Sequence, residues 1–271
     1  MSSKQIWKLF WILIINCGMV FNVYAETVDN PCGGASALLN IVDRPTVGDS
    51  ACVVPFKEAV LELGYQYQQL SHSAGYQQNF PEAELRIGLP VNNELVLLLP
   101  NYIHQSMTPR SGFAATTIGI KHEIGYTQTW LGAAEVLFTL PSGSTAFGSQ
   151  NMGTAVNGII NYTFNSTFSL SFMLGVTTQT QSKLNGGQRF TSINPDMVLT
   201  YVFTPKINFY GEVYGQSKTA PGEGSGFNFD GGVLYLPLPN LEVDLEVGQR
   251  ISGTLSGFNH YVGTGMSIAF N

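Results

Sequence analysis

From Lys57 to the end of the chain, side chains alternate with a period of two, apolar on one face and polar on the other. Ala59, Leu61, Leu63, Tyr65 and Tyr67 interleave with Glu58, Val60, Glu62, Gly64 and Gln66. Ala83, Leu85, Ile87 and Leu89 then interleave with Glu82, Glu84, Arg86 and Gly88, and a turn at 90–93 leads into a third run over Glu94–Ile103. A helix would scatter such a pattern around its circumference, whereas a strand sorts it onto two faces. The same reading places strands near 113–123, 128–140, 152–164, 167–179, 191–203, 207–217, 227–238, 241–252 and 259–270, twelve in all.

A soluble sandwich also alternates, so the connections decide between architectures. The odd-numbered ones (69–79, 104–112, 141–151, 181–190, 218–226 and 253–258) run to six to eleven residues, while the even-numbered ones (90–93, 124–127, 165–166, 204–206 and 239–240) have two to four. An even strand count with long loops at one end and tight turns at the other predicts an all-β fold, a transmembrane antiparallel barrel of the bacterial outer membrane. Only 11% of residues are charged, against roughly 25% in ordinary soluble domains. Beyond residue 25 the longest apolar run is Leu95–Leu99, far short of the about 20 residues that a transmembrane helix needs. Aromatics near strand ends (Tyr65, Tyr67, Phe80, Trp130, Phe138, Tyr162, Phe164, Tyr201, Phe203 and Tyr261) suit girdles at the two membrane interfaces, with outer-membrane lipid as the surrounding partner. Phe270, followed here by Asn271, is the kind of terminal aromatic that barrel-assembly machinery reads, which makes that machinery an expected partner.

The first 25 residues carry Lys4 and Lys8, an apolar stretch over Leu9–Val23, and Val23 and Ala25 at the −3 and −1 positions of a cleavage site. We therefore read residues 1–25 as a signal peptide, 26–56 as a separate periplasmic or plug segment, and 57–271 as the barrel. Cleavage removes two of the twelve basic residues and none of the eighteen acids, taking the net charge from −6 to −8 and disfavouring nucleic acid as a partner. Cys32 and Cys52 remain in an exported chain and are expected to pair. No cofactor or metal is expected, because the histidines are scattered and no CxxC or phosphate-binding glycine motif is present.

In the strand at 241–252, Leu241, Val243, Leu245 and Val247 share one face, while Glu242, Asp244, Glu246, Gly248 and Arg250 share the other. Every backbone group of a closed sheet is paired, so side chains alone choose their solvent and the charged face turns inward. The expected lumen residues are Glu62, Glu84, Arg86, Lys121, Glu135, Asp196, Glu212, Asp230, Glu242, Asp244, Glu246 and Arg250. Such charges can line a water-filled path or pair with one another, and their acid excess favours cations or neutral solutes over anions.

The succession Thr117-Ile-Gly-Ile-Lys121-His-Glu-Ile, Leu140-Pro-Ser-Gly143, Tyr210-Gly-Glu212-Val-Tyr, Phe229-Asp230-Gly-Gly-Val-Leu-Tyr and Val243-Asp244-Leu-Glu-Val-Gly248 resembles the family called MetA-pathway of phenol degradation. The resemblance covers most of 57–271 and implies an outer-membrane transporter of small hydrophobic or aromatic solutes, distantly similar to the long-chain fatty acid transporter. The latter likeness implies that residues 26–56 form a disulfide-stapled plug; a periplasmic tether is the alternative. A closed structural or host-interaction barrel, binding partners through its outer loops, is a second functional reading. A third is an acyl hydrolase, since His104-Gln105-Ser106 resembles a fragment of outer-membrane phospholipase A, although the residues that follow, Met107-Thr108, depart from that pattern and we expect no enzyme.

Overall fold

The computed structural model describes residues 30–71 and 75–271. The signal-peptide reading of 1–25 lies outside the described residues. Twelve antiparallel staves form one closed sheet. The first is β1 (Ala59–Leu70). The second is β2 (Tyr76–Phe80) continued by β3 (Glu84–Leu89), the third β4 (Asn93–Leu98) continued by β5 (Tyr102–Gln105), and the fourth β6 (Ser111–Phe113) continued by β7 (Thr117–Tyr126). Eight unbroken strands follow: β8 (Trp130–Thr139), β9 (Gly153–Thr163), β10 (Phe168–Thr180), β11 (Arg189–Thr204), β12 (Ile207–Gln216), β13 (Gly226–Leu238), β14 (Leu241–Ser252) and β15 (Phe258–Phe270). β1 pairs with β15 from Ala59↔Phe270 to Gln69↔His260, which closes the sheet on itself.

The breaks in staves two and three fall at Pro81 and Pro100, which have no N–H to give to the ladder. Local bonds bridge the gaps, with Gly64 N donating to the Pro81 carbonyl (2.5 Å), Leu99 N to Ala83 (2.8 Å) and Ala114 N to Asn101 (2.8 Å). The first loop is shorter than the expected 69–79, because Tyr76–Phe80 is a strand paired with both β1 and β5. Its Gln77-Gln78-Asn79 core hides it from an apolar pattern. The amides of Gln77 and Asn79 bond one another, and Gln77 also bonds Gln68, making a polar inner face at this end.

The outer face carries half-exposed Ile120, Val156, Leu174, Leu199, Leu245 and Val247. Trp130, Tyr162 and Phe164 pack ring against ring in series near the short turns, as do Phe168, Tyr201 and Phe209. Tyr261 departs from the expected girdle. It is 4% exposed and turns into the lumen, over Gly248, its register partner on β14, where a Cβ would collide with the ring.

Residues 30–58 run through the barrel. Helix α1 (Ala37–Ile41) is too short to be stable alone. It buries Leu38, Leu39 and Ile41 in an apolar cluster with Val42, Val54 and the Cys32–Cys52 disulfide. Val60, Leu131, Ala133, Ile159, Val198, Leu234 and Leu236 of the wall complete that cluster. Each fully buried aliphatic side chain contributes about 1.5–3 kcal/mol, so this core fastens the segment across the short-turn half of the lumen.

Candidate functional site

Ten of the twelve expected lumen residues are buried inside the barrel: Glu62, Arg86, Lys121, Glu135, Asp196, Glu212, Asp230, Glu242, Asp244 and Glu246. Glu84 and Arg250 are half-buried. Arg250 sits toward the long-loop end, donating to Ser71 Oγ (2.8 Å) and Asn259 Oδ1 (2.7 Å).

The N-terminal segment is the counterpart of many of these charges. Arg86 pairs with Glu62 (3.2 Å), Glu94 (2.8 Å) and Asp43 (3.2 Å), and donates to the carbonyls of Cys52 (3.0 Å) and Ile41. Lys121 Nζ meets Asp43 (2.9 Å), Glu94 (3.3 Å) and the Ser50 carbonyl (3.1 Å). The carboxylates also take backbone amides, Asp43 N and Arg44 N on Glu62 and Val54 N on Glu94 (2.6 Å). Both cations are fully buried, a state tolerated because their donors meet carboxylates and carbonyls. Burial pushes the Asp43 carboxyl up to about 7, against the pull of Arg86 and Lys121. Burial also lifts the Asp49 carboxyl well above its ordinary value, with Glu135 adding to the rise.

Beyond this hub the segment crosses the lumen. Arg44 reaches Glu82 (3.2 Å), Asp244 (3.4 Å) and Glu246 (3.6 Å). Glu212, on the opposite wall, accepts Val47 N (3.0 Å) and Gly48 N (2.8 Å). Tyr261 Oη lies 2.8 Å from Asp230 and 3.1 Å from Glu246, and Asn157 donates to Glu135 (2.9 Å).

Two cavities flank this crossing. One of about 410 Å³ lies toward the long loops, between Gln66, Asn157, Asn194, Tyr214 and Leu255. The other, of about 270 Å³, lies toward the short turns, between Leu39, Asn165, Ser171, Thr200 and Asn208. Arg44, Pro45, Thr46 and Asp49 line both.

Glu82, Glu94, Asp43, Arg44 and Asp49 are missing from the sequence-derived set. Glu94 has the right parity in its strand, and Asp43, Arg44 and Asp49 are the charged residues between the two cysteines, a signal that the segment meets opposite charges. His104 packs against the Tyr76 ring, while Ser106 Oγ bonds the Tyr76 backbone. Among the described residues no group of three His, Cys, Asp or Glu could hold a metal.

A closed antiparallel barrel of twelve staves, threaded by its own N-terminal segment, defines the class, a barrel of the outer-membrane channel fold. The COG4313 outer membrane channel from Pseudomonas putida F1 superposes with a TM-score of 0.66 at 11% identity, over 83% of this chain and 100% of that one. The NanC porin gives 0.53 at 12% identity (78% and 98%), and the KdgM porin 0.52 at 11% (78% and 99%). The family described as "Putative MetA-pathway of phenol degradation" matches residues 42–270, and the chain belongs to it. No curated protein matches by sequence.

Proposed function

We propose that the protein is an outer-membrane channel for the passive passage of small solutes, with residues 30–56 as the plug that closes its lumen. The observation that carries this reading is the pair of cavities separated by the crossing at 44–49. Displacing that short stretch would join them into one path, while the hub at Arg86 and Lys121 stayed in place. The apolar outer face with aromatics near the short turns fits lipid, which a closed sheet tolerates. Export through a cleaved leader and insertion by the barrel-assembly machinery through Phe270 belong to the same reading. Membership of a family described by phenol degradation supports hydrophobic or aromatic solutes as the cargo.

Single-channel conductance of the refolded mature protein in a planar bilayer, before and after reduction of Cys32–Cys52, tests the proposal. Discrete ohmic steps that grow on reduction are expected. Silence in both states from folded protein overturns it. That outcome leaves the closed barrel that binds through its loops, a reading favoured by the apolar core across the short-turn half.

A further inference from the structure

Eleven acidic side chains are buried among the described residues, against Arg86 and Lys121 as the buried bases and a half-buried Arg44. A buried carboxylate without a cation is so costly that the group takes up a proton instead. The three cations are engaged by Asp43, Glu62, Glu82, Glu94, Asp244 and Glu246. The acids that fasten the middle of the crossing at 44–49 are not among them.

Those acids are bonded to one another. The Asp49 carboxyl, on the crossing itself, bonds the Glu135 carboxyl of β8. On the opposite wall, Glu212 of β12 bonds the carboxyls of Asp196 on β11 and Asp230 on β13. Glu212 also accepts Val47 N (3.0 Å) and Gly48 N (2.8 Å), and a Cβ on Gly48 would collide with the Asp196 carboxyl. Two carboxylates offer no donor, so a hydrogen bond between carboxyls exists only while one of them holds a proton. Shared protons therefore fasten the crossing on both sides.

The surrounding charges do not replace those protons. Asp49 feels Lys121 and Arg86, but both are tied into the hub, while Asp43, Glu84 and Asp196 add negative charge around it. Around Glu212 and Asp230 stand Tyr210, Tyr214, Tyr261 and Glu246, none of them a cation.

We propose that the crossing at 44–49 is a proton-held gate: alkaline pH removes the shared protons, the facing carboxylates repel, and the crossing leaves the wall so that the two cavities join. The crossing is the part that moves because it contains no helix or strand, whereas Glu135, Asp196, Glu212 and Asp230 sit on paired strands. Its flanks are anchored separately, α1 by the apolar core and Val54 N by Glu94. Burial, with Glu135 adding to it, keeps Asp49 protonated well above the ordinary carboxylate range, so the closed state covers neutral pH. The gate rests on the channel reading for its meaning and adds the regulation of that channel.

The test is hydrogen–deuterium exchange on the folded, detergent-solubilised mature protein at about pH 6 and about pH 9, both above the ordinary carboxylate range. Each rate is divided by the intrinsic rate of a free amide at that pH, and residues 37–42, docked by apolar packing, serve as the internal reference. An opening that releases one proton shifts by up to about tenfold per pH unit. Protection of Val47 and Gly48 should therefore fall at least about tenfold between the two conditions, while that of 37–42 holds. Asp49→Asn, Asp196→Asn and Asp230→Asn, combined in one chain, put permanent amide donors where the shared protons were and should abolish the response.

Unchanged protection of Val47 and Gly48 in the wild type overturns the gate. So does an equal loss at 37–42, which would be unfolding of the whole segment, and so does an alkaline loss that persists in the folded Asn variant. The comparison within the wild type decides the matter even where the variant does not fold. Single-channel recording at the same two pH values separates the gate from the channel reading. A crossing that loosens without current at either pH overturns the channel reading alone, and discrete steps with unchanged protection overturn the gate alone.

Discussion

Gly64 of β1 and Gly265 of β15 are register partners across the seam that closes the barrel, and the Arg44 guanidinium lies in the space that their missing side chains leave. A Cβ on either residue would overlap that guanidinium. The closure of the wall and the docking of the N-terminal segment therefore meet at one point. Two glycines admit the arginine, and Glu82, Asp244 and Glu246 surround it.

Gly64→Ala or Gly265→Ala should push Arg44 off its carboxylates and cost about 1–3 kcal/mol, the usual range for overpacking. Because Arg44 lines both cavities, the same variants should also conduct more than the wild type. Thermal unfolding and single-channel recording on one preparation check both effects. A variant with wild-type melting and wild-type conductance contradicts the placement of Arg44.

Lys121 gives a second prediction. Its ammonium is fully buried against Asp43 and Glu94, so Lys121→Met leaves both carboxylates short of a counter-charge. Removing one partner from a buried pair costs about 3–5 kcal/mol, against little for changing an exposed lysine. Asp43→Asn in the Lys121→Met background should recover part of the loss, and urea unfolding of the two single variants and the double variant measures that coupling.

The strands were legible because a barrel wall has water or polar packing on one side and an apolar medium on the other, which imposes strict alternation on 57–271. Loop parity added the count of twelve. What stayed hidden followed from the same physics. Tyr76–Phe80 carries amides where an apolar pattern was sought, and they satisfy one another inside the lumen. Tyr261 looked like an interfacial aromatic until its parity with Gly263 and Gly265 and its partner Gly248 turned it inward. Apart from Glu94, eight residues from Arg86, the partners of Arg86 and Lys121 lie 24–78 residues away in sequence, and periodicity carries no information about such pairings.

The disulfide fastens the N-terminal segment to itself rather than to the wall. Cys32 and Cys52 are separated by 20 positions, and a loop of that size stabilises by about 3 kcal/mol on the chain-entropy account. Cys32→Ser with Cys52→Ser should leave the barrel folded and loosen residues 30–56. Thermolysin cleaves before aliphatic residues, so the double variant should be cut at Leu38, Leu39 or Ile41, which docking buries in the wild type. Equal resistance to the protease in both proteins would show that the charged hub alone holds the segment.

The roof of the larger cavity provides the pH prediction. Glu223 accepts from Thr219 Oγ1 (2.7 Å) and from Thr254 Oγ1, tying the loop at 217–225 to the loop at 253–257, whose Leu255 and Ser256 line the cavity. Those two hydroxyls hold the Glu223 carboxyl below its ordinary value of 4.5. A carboxyl lowered in the folded state adds stability that is present above the unfolded value and lost as pH falls through the folded one. The tie should therefore hold at neutral pH and weaken below about pH 4.5. Hydrogen exchange at 253–257, taken as the ratio of Glu223→Ala to wild type at each pH, removes the intrinsic pH dependence of exchange. That ratio should exceed one at neutral pH and approach one as pH falls through the lowered value of the wild-type carboxyl, since protonation leaves neither protein with the tie. A ratio of one at every pH would mean that the loops are held by the Thr219–Thr254 hydroxyl contact alone, and that the roof over the cavity does not respond to acid.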